Sequence, residues 1–204
     1  MKKFIILSCV VILLFGAIGI AQAIPYNEVQ DAGELLTSAQ TIGTGVDTIS
    51  GSLNDDADMF KLYLTAGTFI AQVFNSDFDS QLFLFDSAGM GIIANDDNGT
   101  LYAPSRIETT LTQDGIYFLA ISAWDYDPIS AGGEEIFDDA YTVLAGPTGP
   151  GGSDPLSDWQ GFLSGNGDYD IRLSPTASSP VPEPATIFLF GLGLLGLAKV
   201  NRKK

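Results

Sequence analysis

Two apolar runs fence the chain. Phe4 to Ile20 is almost unbroken, and Ala185 to Val200 is interrupted only by Thr186 and Lys199. Basic residues stand outside both, Met1-Lys2-Lys3 before the first run and Asn201-Arg202-Lys203-Lys204 after the second. Runs of this length and apolarity are suited to lipid rather than water. Folding in an aqueous compartment is therefore left to the residues between them.

The first run has the three-part order of a secretory signal peptide: a basic start, an apolar centre and the small-x-small sequence Ala21-Gln22-Ala23. Residues 1–23 are expected to leave the mature protein, with Ala21 and Ala23 marking the cleavage site. The apolar centre is slightly long, so an uncleaved anchor is the alternative. Cys9 is the one cysteine. It is preceded by Ile6-Leu7-Ser8 and followed by more apolar sequence, which does not fit a lipoprotein site. Cleavage after Ala23 leaves a mature chain without disulfides, whose stability has to come from packing.

The second run would span about 24 Å as a helix, a little short of a hydrocarbon core. Snorkelling by Lys199 and local thinning of the bilayer cover the difference. The basic tail is expected on the cytoplasmic side, so both ends start inside and the middle is translocated. Within the run, Gly191-Leu192-Gly193-Leu194-Leu195-Gly196 spells G-x-G-x-x-G. A dinucleotide site needs a preceding strand and a βαβ unit, which this stretch lacks. Small residues that let membrane helices approach are the plain explanation.

Val181-Pro182-Glu183-Pro184-Ala185, then the apolar run, then Arg202-Lys203-Lys204 resembles the PEP-CTERM sorting signal. The resemblance covers about 24 residues and has all three parts in order. It implies an exosortase in the inner membrane of a Gram-negative bacterium that makes extracellular polysaccharide. It also implies that Pro182, Glu183 and Pro184 are recognised by that enzyme and are not themselves catalytic. The expected division is a signal peptide at 1–23, an exported acidic domain at 24–174, a linker at 175–181 and the sorting signal at 182–204.

Charge sharpens what the exported part can be. Between residues 24 and 180 only Lys61, Arg106 and Arg172 are basic, against 24 acids, a net of −21. Nucleic acid is excluded as a partner, because phosphates need Lys and Arg to neutralise them. The 204 residues contain no histidine. That removes Ser-His-Asp and Cys-His pairs, H-E-x-x-H zinc sites and imidazole proton shuttles. Self-repulsion on this scale calls for spread charges or bound cations.

The apolar pattern is that of strands. Phe60, Leu62 and Leu64 alternate; Thr68 to Phe74 follows the Ala66-Gly67 turn; Gln81 to Phe85 is an apolar run closed by Asp86-Ser87-Ala88-Gly89. Gly91 to Ala94 pairs back across that turn. Ser105 to Leu111, Ile116 to Ala123, Ala140 to Ala145 and Tyr169 to Leu173 continue the set, with Asp47 to Leu53 as an early strand. Eight or nine short strands at this spacing predict an all-β sandwich. Asn27 to Ser38 is the one place for a short helical turn, and Gly146 to Asp154 is a loop or hinge by composition.

The order Asp56-Ala57-Asp58-Met59-Phe60, Ala66-Gly67, Leu82-Phe83-Leu84-Phe85-Asp86, Asn95-Asp96-Asp97 and Gly115-Ile116-Tyr117-Phe118-Leu119 is similar to the bacterial pre-peptidase C-terminal domain. The resemblance implies a jelly-roll-like β-sandwich over about residues 55–145. That domain commonly accompanies secreted peptidases, and no peptidase domain precedes it here.

The acids cluster as Asp55-Asp56-x-Asp58, Asp77-x-Asp79, Asp96-Asp97, Asp125-x-Asp127 and Glu134-Glu135 with Asp138-Asp139. Calcium takes six to eight oxygen ligands, and acidic loops at strand ends supply them. Asp56, Asp58, Asp96 and Asp97 are the candidate ligands, because their motifs recur in the resembled domain. EF-hand spacing fails, since the twelfth position from Asn95 is Arg106. The alternative is that Asp and Asn simply end strands and form turns. Trp124 and Tyr126 are the candidate glycan contacts, as aromatic rings stack on sugars; a Trp that caps the core is the alternative. A glycosidase would need one carboxyl with a raised pKa in a cleft, which a sequence does not reveal.

The expectation is an exported, non-enzymatic cell-surface or matrix protein. Its partners would be the Sec translocon, signal peptidase, exosortase, the inner membrane and exopolysaccharide. A calcium-dependent glycan-binding module is the alternative.

Overall fold

Residues that alternate between apolar and polar can bury one face of a strand and wet the other. The computed structural model, which describes residues 24–54, 56–138, 143–162 and 164–174, follows that rule with twelve strands. They are β1 (Pro25–Asn27), β2 (Gln40–Thr41), β3 (Thr48–Leu53), β4 (Asp58–Leu64), β5 (Gly67–Ser76), β6 (Ser80–Asp86), β7 (Gly91–Asn95), β8 (Arg106–Leu111), β9 (Gly115–Ala123), β10 (Tyr126–Ser130), β11 (Leu156–Gly161) and β12 (Gly167–Leu173). All described residues belong to one unit, Ala23–Ser178. The expected signal peptide, linker, Pro182-Glu183-Pro184 motif and C-terminal membrane helix lie outside the described residues. Among the described residues no helix is long and apolar enough to cross a membrane.

Two five-stranded sheets form a sandwich. One has the order β1-β3-β12-β5-β8, the other β2-β4-β9-β6-β7, and β10 and β11 make a separate ribbon. Pairing is antiparallel except at one edge of each sheet, where β1 joins β3 and β2 joins β4 in parallel. Ile49, Phe60, Leu62, Phe69, Val73, Leu82, Leu84, Ile107, Leu119, Ile121 and Ile171 fill the space between the sheets.

The second sheet is buried on both faces. Its outer side is covered by the ribbon and the loop before β11, where Met59, Phe83, Phe85 and Phe118 pack with Ile136, Phe137, Leu156 and Trp159. This is why β6 and β9 are nearly continuous apolar runs, whereas β5 and β12 alternate.

Four of the twelve strands, β1, β2, β10 and β11, were not among those expected. β1 and β2 have only three and two residues. β10 and β11 are polar on one side, as in Leu156-Ser157-Asp158-Trp159, and carry too little apolar alternation to stand out. The region Asn27 to Ser38 begins at the end of β1 and holds one short turn, as expected, with Ser38 and Ala39 N–H groups donating to Leu35 O at 2.9 Å each. Of the expected strand Ala140–Ala145, residues 143–145 are described, and Ala145 makes an isolated bridge to Ala94. Gly146 to Asp154 is a packed loop rather than a hinge. Gly149 N–H donates to Ile136 O at 3.1 Å and Gly151 N–H to Glu135 O at 2.8 Å.

Candidate functional site

One end of the sandwich collects the acids. Asp58 opens β4 opposite Ile121, and Ser80 opens β6 opposite Ala123, the last residue of β9. In the other sheet Tyr169, near the start of β12, lies opposite Gly51 of β3 and Ser76 at the end of β5. The Tyr169 hydroxyl donates to Asp58 Oδ2 at 2.7 Å, so the two sheets meet at this end.

The segment before β3 builds the first carboxylate group. β1 pairs along β3 and β2 along β4, so the stretch between them straps the same edge of both sheets. Glu28 N–H donates to Ser50 O at 2.8 Å, and Met59 N–H donates to Gly33 O at 3.2 Å. The strap carries Glu28 and Asp31 over Asp58, with one carboxylate oxygen of each within 4.8 Å of the others. Burial deepens from exposed Asp31 through half-buried Glu28 to Asp58, which is 0% exposed. A cleft of about 510 Å³ lined by Glu28, Asp31, Gly51 and Tyr169 adjoins the group.

Asp58 follows the inward phase of Phe60, Leu62 and Leu64 and so points into the core. Burial pushes its carboxyl up to about 8, against a counter-effect from the Tyr169 hydrogen bond; Glu28, Asp31 and Asp56 add to the rise. Its Oδ1 and Glu28 Oε1 are buried and receive no hydrogen bond. The other Glu28 oxygen accepts Ser52 N–H at 2.9 Å. Burial also raises the Glu28 carboxyl. Buried carboxylate oxygens without donors are costly unless a proton or a cation satisfies them.

Asp79, Asp96 and Asp97 form a second group, again with one oxygen each within 4.8 Å of the others. They lie in the loops after β5 and β7. The four expected ligands are thus divided: Asp58 joins Glu28 and Asp31, while Asp96 and Asp97 join Asp79. Asp56 stands beside Asp58 and is not one of the three converging residues. Glu28 and Asp31 escaped sequence reading because the strap that brings them to Asp58 has no local signature. Asp79 had a visible signal in Asp77-x-Asp79.

The two aromatic candidates differ. Trp124 is 38% exposed, and its backbone N–H donates to Asp79 O at 2.9 Å. Tyr126 stacks on Trp159, with ring centroids 5.8 Å apart and planes at 15°, and its hydroxyl donates to Glu34 at 2.9 Å. Burial and Glu34 raise the Tyr126 hydroxyl above the usual phenol range. Tyr126 is therefore occupied in packing, and Trp124 presents the freer ring.

The decisive signal for sorting lies in the sequence beyond this domain. Residues 180–203 carry a PEP-CTERM protein-sorting motif. The PEP-CTERM motif marks an exported protein with a membrane-anchored precursor that exosortase processes. Among solved structures the chain is similar to the pre-peptidase C-terminal domain of a collagenase from Bacillus anthracis. That likeness has 14% identity, covers 76% of this chain and 100% of that one, and has a TM-score of 0.37. No curated protein matches the chain.

Proposed function

We propose that the protein is a non-enzymatic component of the cell surface or extracellular matrix, accompanying exopolysaccharide after exosortase has processed its C-terminus. The PEP-CTERM motif at residues 180–203 is the observation that carries this reading. The lack of histidine supports the non-enzymatic part of the reading, since it removes Ser-His-Asp and Cys-His catalytic pairs. Deleting Ala185 to Lys204 is expected to release the protein from the membrane fraction, and mass spectrometry of the protein from producing cells should show a C-terminus within or near Pro182-Glu183-Pro184. Retention of the truncated chain in the membrane, or an intact Lys204 on the surface protein, would overturn the proposal.

The unsatisfied oxygens of Glu28 and Asp58 favour a second reading, a calcium-dependent glycan-binding module. Glu28, Asp31 and Asp58 offer a hard, oxygen-only ligand set of the kind calcium takes. Trp124, at the same end, offers a ring for a sugar face. EDTA should then lower the melting temperature, and Trp124→Ala should abolish polysaccharide binding. Indifference to both treatments removes this reading.

A further inference from the structure

The second carboxylate group has features that the turn chemistry of Asp and Asn does not explain. Asp97 is 3% exposed, and its Oδ1 is buried with no hydrogen-bond donor. The carboxylates of Asp79 and of Asp96, itself 8% exposed, converge on it within 4.8 Å. Of the bases in the domain, Arg106 pairs with Glu108. Arg172 lies over the Phe74 ring at 4.6 Å, and Lys61 sits mid-strand in β4 opposite Phe118.

The backbone around the group is fixed in place. Asn95 Nδ2 donates to Asp97 O at 2.9 Å and to Val143 O at 3.2 Å, while Asn95 Oδ1 accepts Arg106 N–H at 2.9 Å. Gly99 N–H also donates to Asp97 O at 2.9 Å. Asp79 is held through its carbonyl by Trp124 N–H. These bonds fix the loops yet leave the Asp97 oxygen without a donor. Like charges held together and away from water are stable only when protons or a cation neutralise them.

We propose that Asp79, Asp96 and Asp97 form a calcium site, separate from the Glu28–Asp31–Asp58 group and independent of it. The donors are carboxylates alone, which suits a hard cation. Zinc draws on nitrogen and sulfur, and the chain has no histidine and no cysteine beyond Cys9. Three carboxylates supply three to six of the oxygens that calcium takes, so positions remain for water or for a bound ligand's oxygens. Asp79 also lines a cleft of about 280 Å³ with Ser76, Asp77, Phe78, Tyr102 and Pro104. Tyr102 is 82% exposed, so an ion at Asp79 would share a cleft with an open ring.

The test uses the full chain in detergent, with calcium and terbium ions as probes. Terbium emission excited through aromatic side chains should be measurable in the unaltered protein, because Tyr102 lines the same cleft as Asp79. It should fall by about tenfold or more in Asp97→Asn and in Asp79→Asn, and persist in Glu28→Gln. Calcium titration should lose one class of site in the first two variants, with affinity near 10⁻⁴–10⁻³ M, roughly the range of extracellular modules. Circular dichroism checks that each variant is folded, and half-buried Asp79 is the safer substitution. Unchanged emission and titration in both folded Asp variants overturn the proposal, as does binding lost only in Glu28→Gln. That last result would leave the calcium reading of the first group intact, so the two can fail separately.

Discussion

At the scale of single residues, Gly51 decides whether the acidic end can form. A Cβ there would collide with the Tyr169 hydroxyl and lie 2.6 Å from Glu28 Oε2. Neither neighbour can easily retreat: Tyr169 bonds Asp58 and packs edge-on against Phe78, and Glu28 is held by Ser52. Gly51→Ala should therefore destabilise the protein by about 1–3 kcal/mol, as overpacking does, measurable by urea denaturation. Asp58 makes a pH prediction. Unfolded, it gives up its proton near 3.8; folded and free of metal, it keeps the proton to about 8. The folded state holds the extra proton between these values, so this contribution is full below about pH 4 and is lost as pH rises towards 8. Chelator-treated protein should lose up to about 1.4 kcal/mol per pH unit in that window, and Asp58→Asn should flatten the slope.

At the scale of elements, the β10–β11 ribbon is what lets β6 and β9 be apolar on both faces. Trp159 is its anchor. The indole N–H donates to Glu34 O at 2.7 Å, and the ring packs on Phe83 and Tyr126. Trp159→Ala should cost about 3–5 kcal/mol in thermal or chemical unfolding, with exposed apolar surface detectable by dye binding. The sheets themselves were legible in the sequence: β3 to β9 and β12 announce themselves by alternation or by apolar runs between turns. The ribbon and the strap were not, because Tyr126 to Ser130 and Leu156 to Gly161 owe their pairing to what they cover. For the same reason Asp96 and Asp97 were findable as a loop motif, whereas the link from Glu28 to Asp58 needs the register of β1 on β3.

At the scale of the whole molecule, charge and topology act together. Three bases against 24 acids over residues 24–180 make self-repulsion a general load on the fold. Sodium chloride should raise the melting temperature by screening it. Calcium at equal ionic strength should raise it further if, as proposed, the two carboxylate groups take up the ion itself. Calorimetry with matched ionic strengths checks this, and equal shifts for both salts would contradict it.

The place of β12 bears on how such a chain travels. Among the described residues it is the last strand in sequence, yet it sits between β3 and β5 in the middle of its sheet. Until Gly167–Leu173 arrives, β3 and β5 have no neighbour to join them and Asp58 lacks the tyrosine that closes over it. A polypeptide threaded amino-end first through a narrow channel would therefore keep this sheet open, with the other sheet uncovered on its inner side, until Gly167–Leu173 emerged.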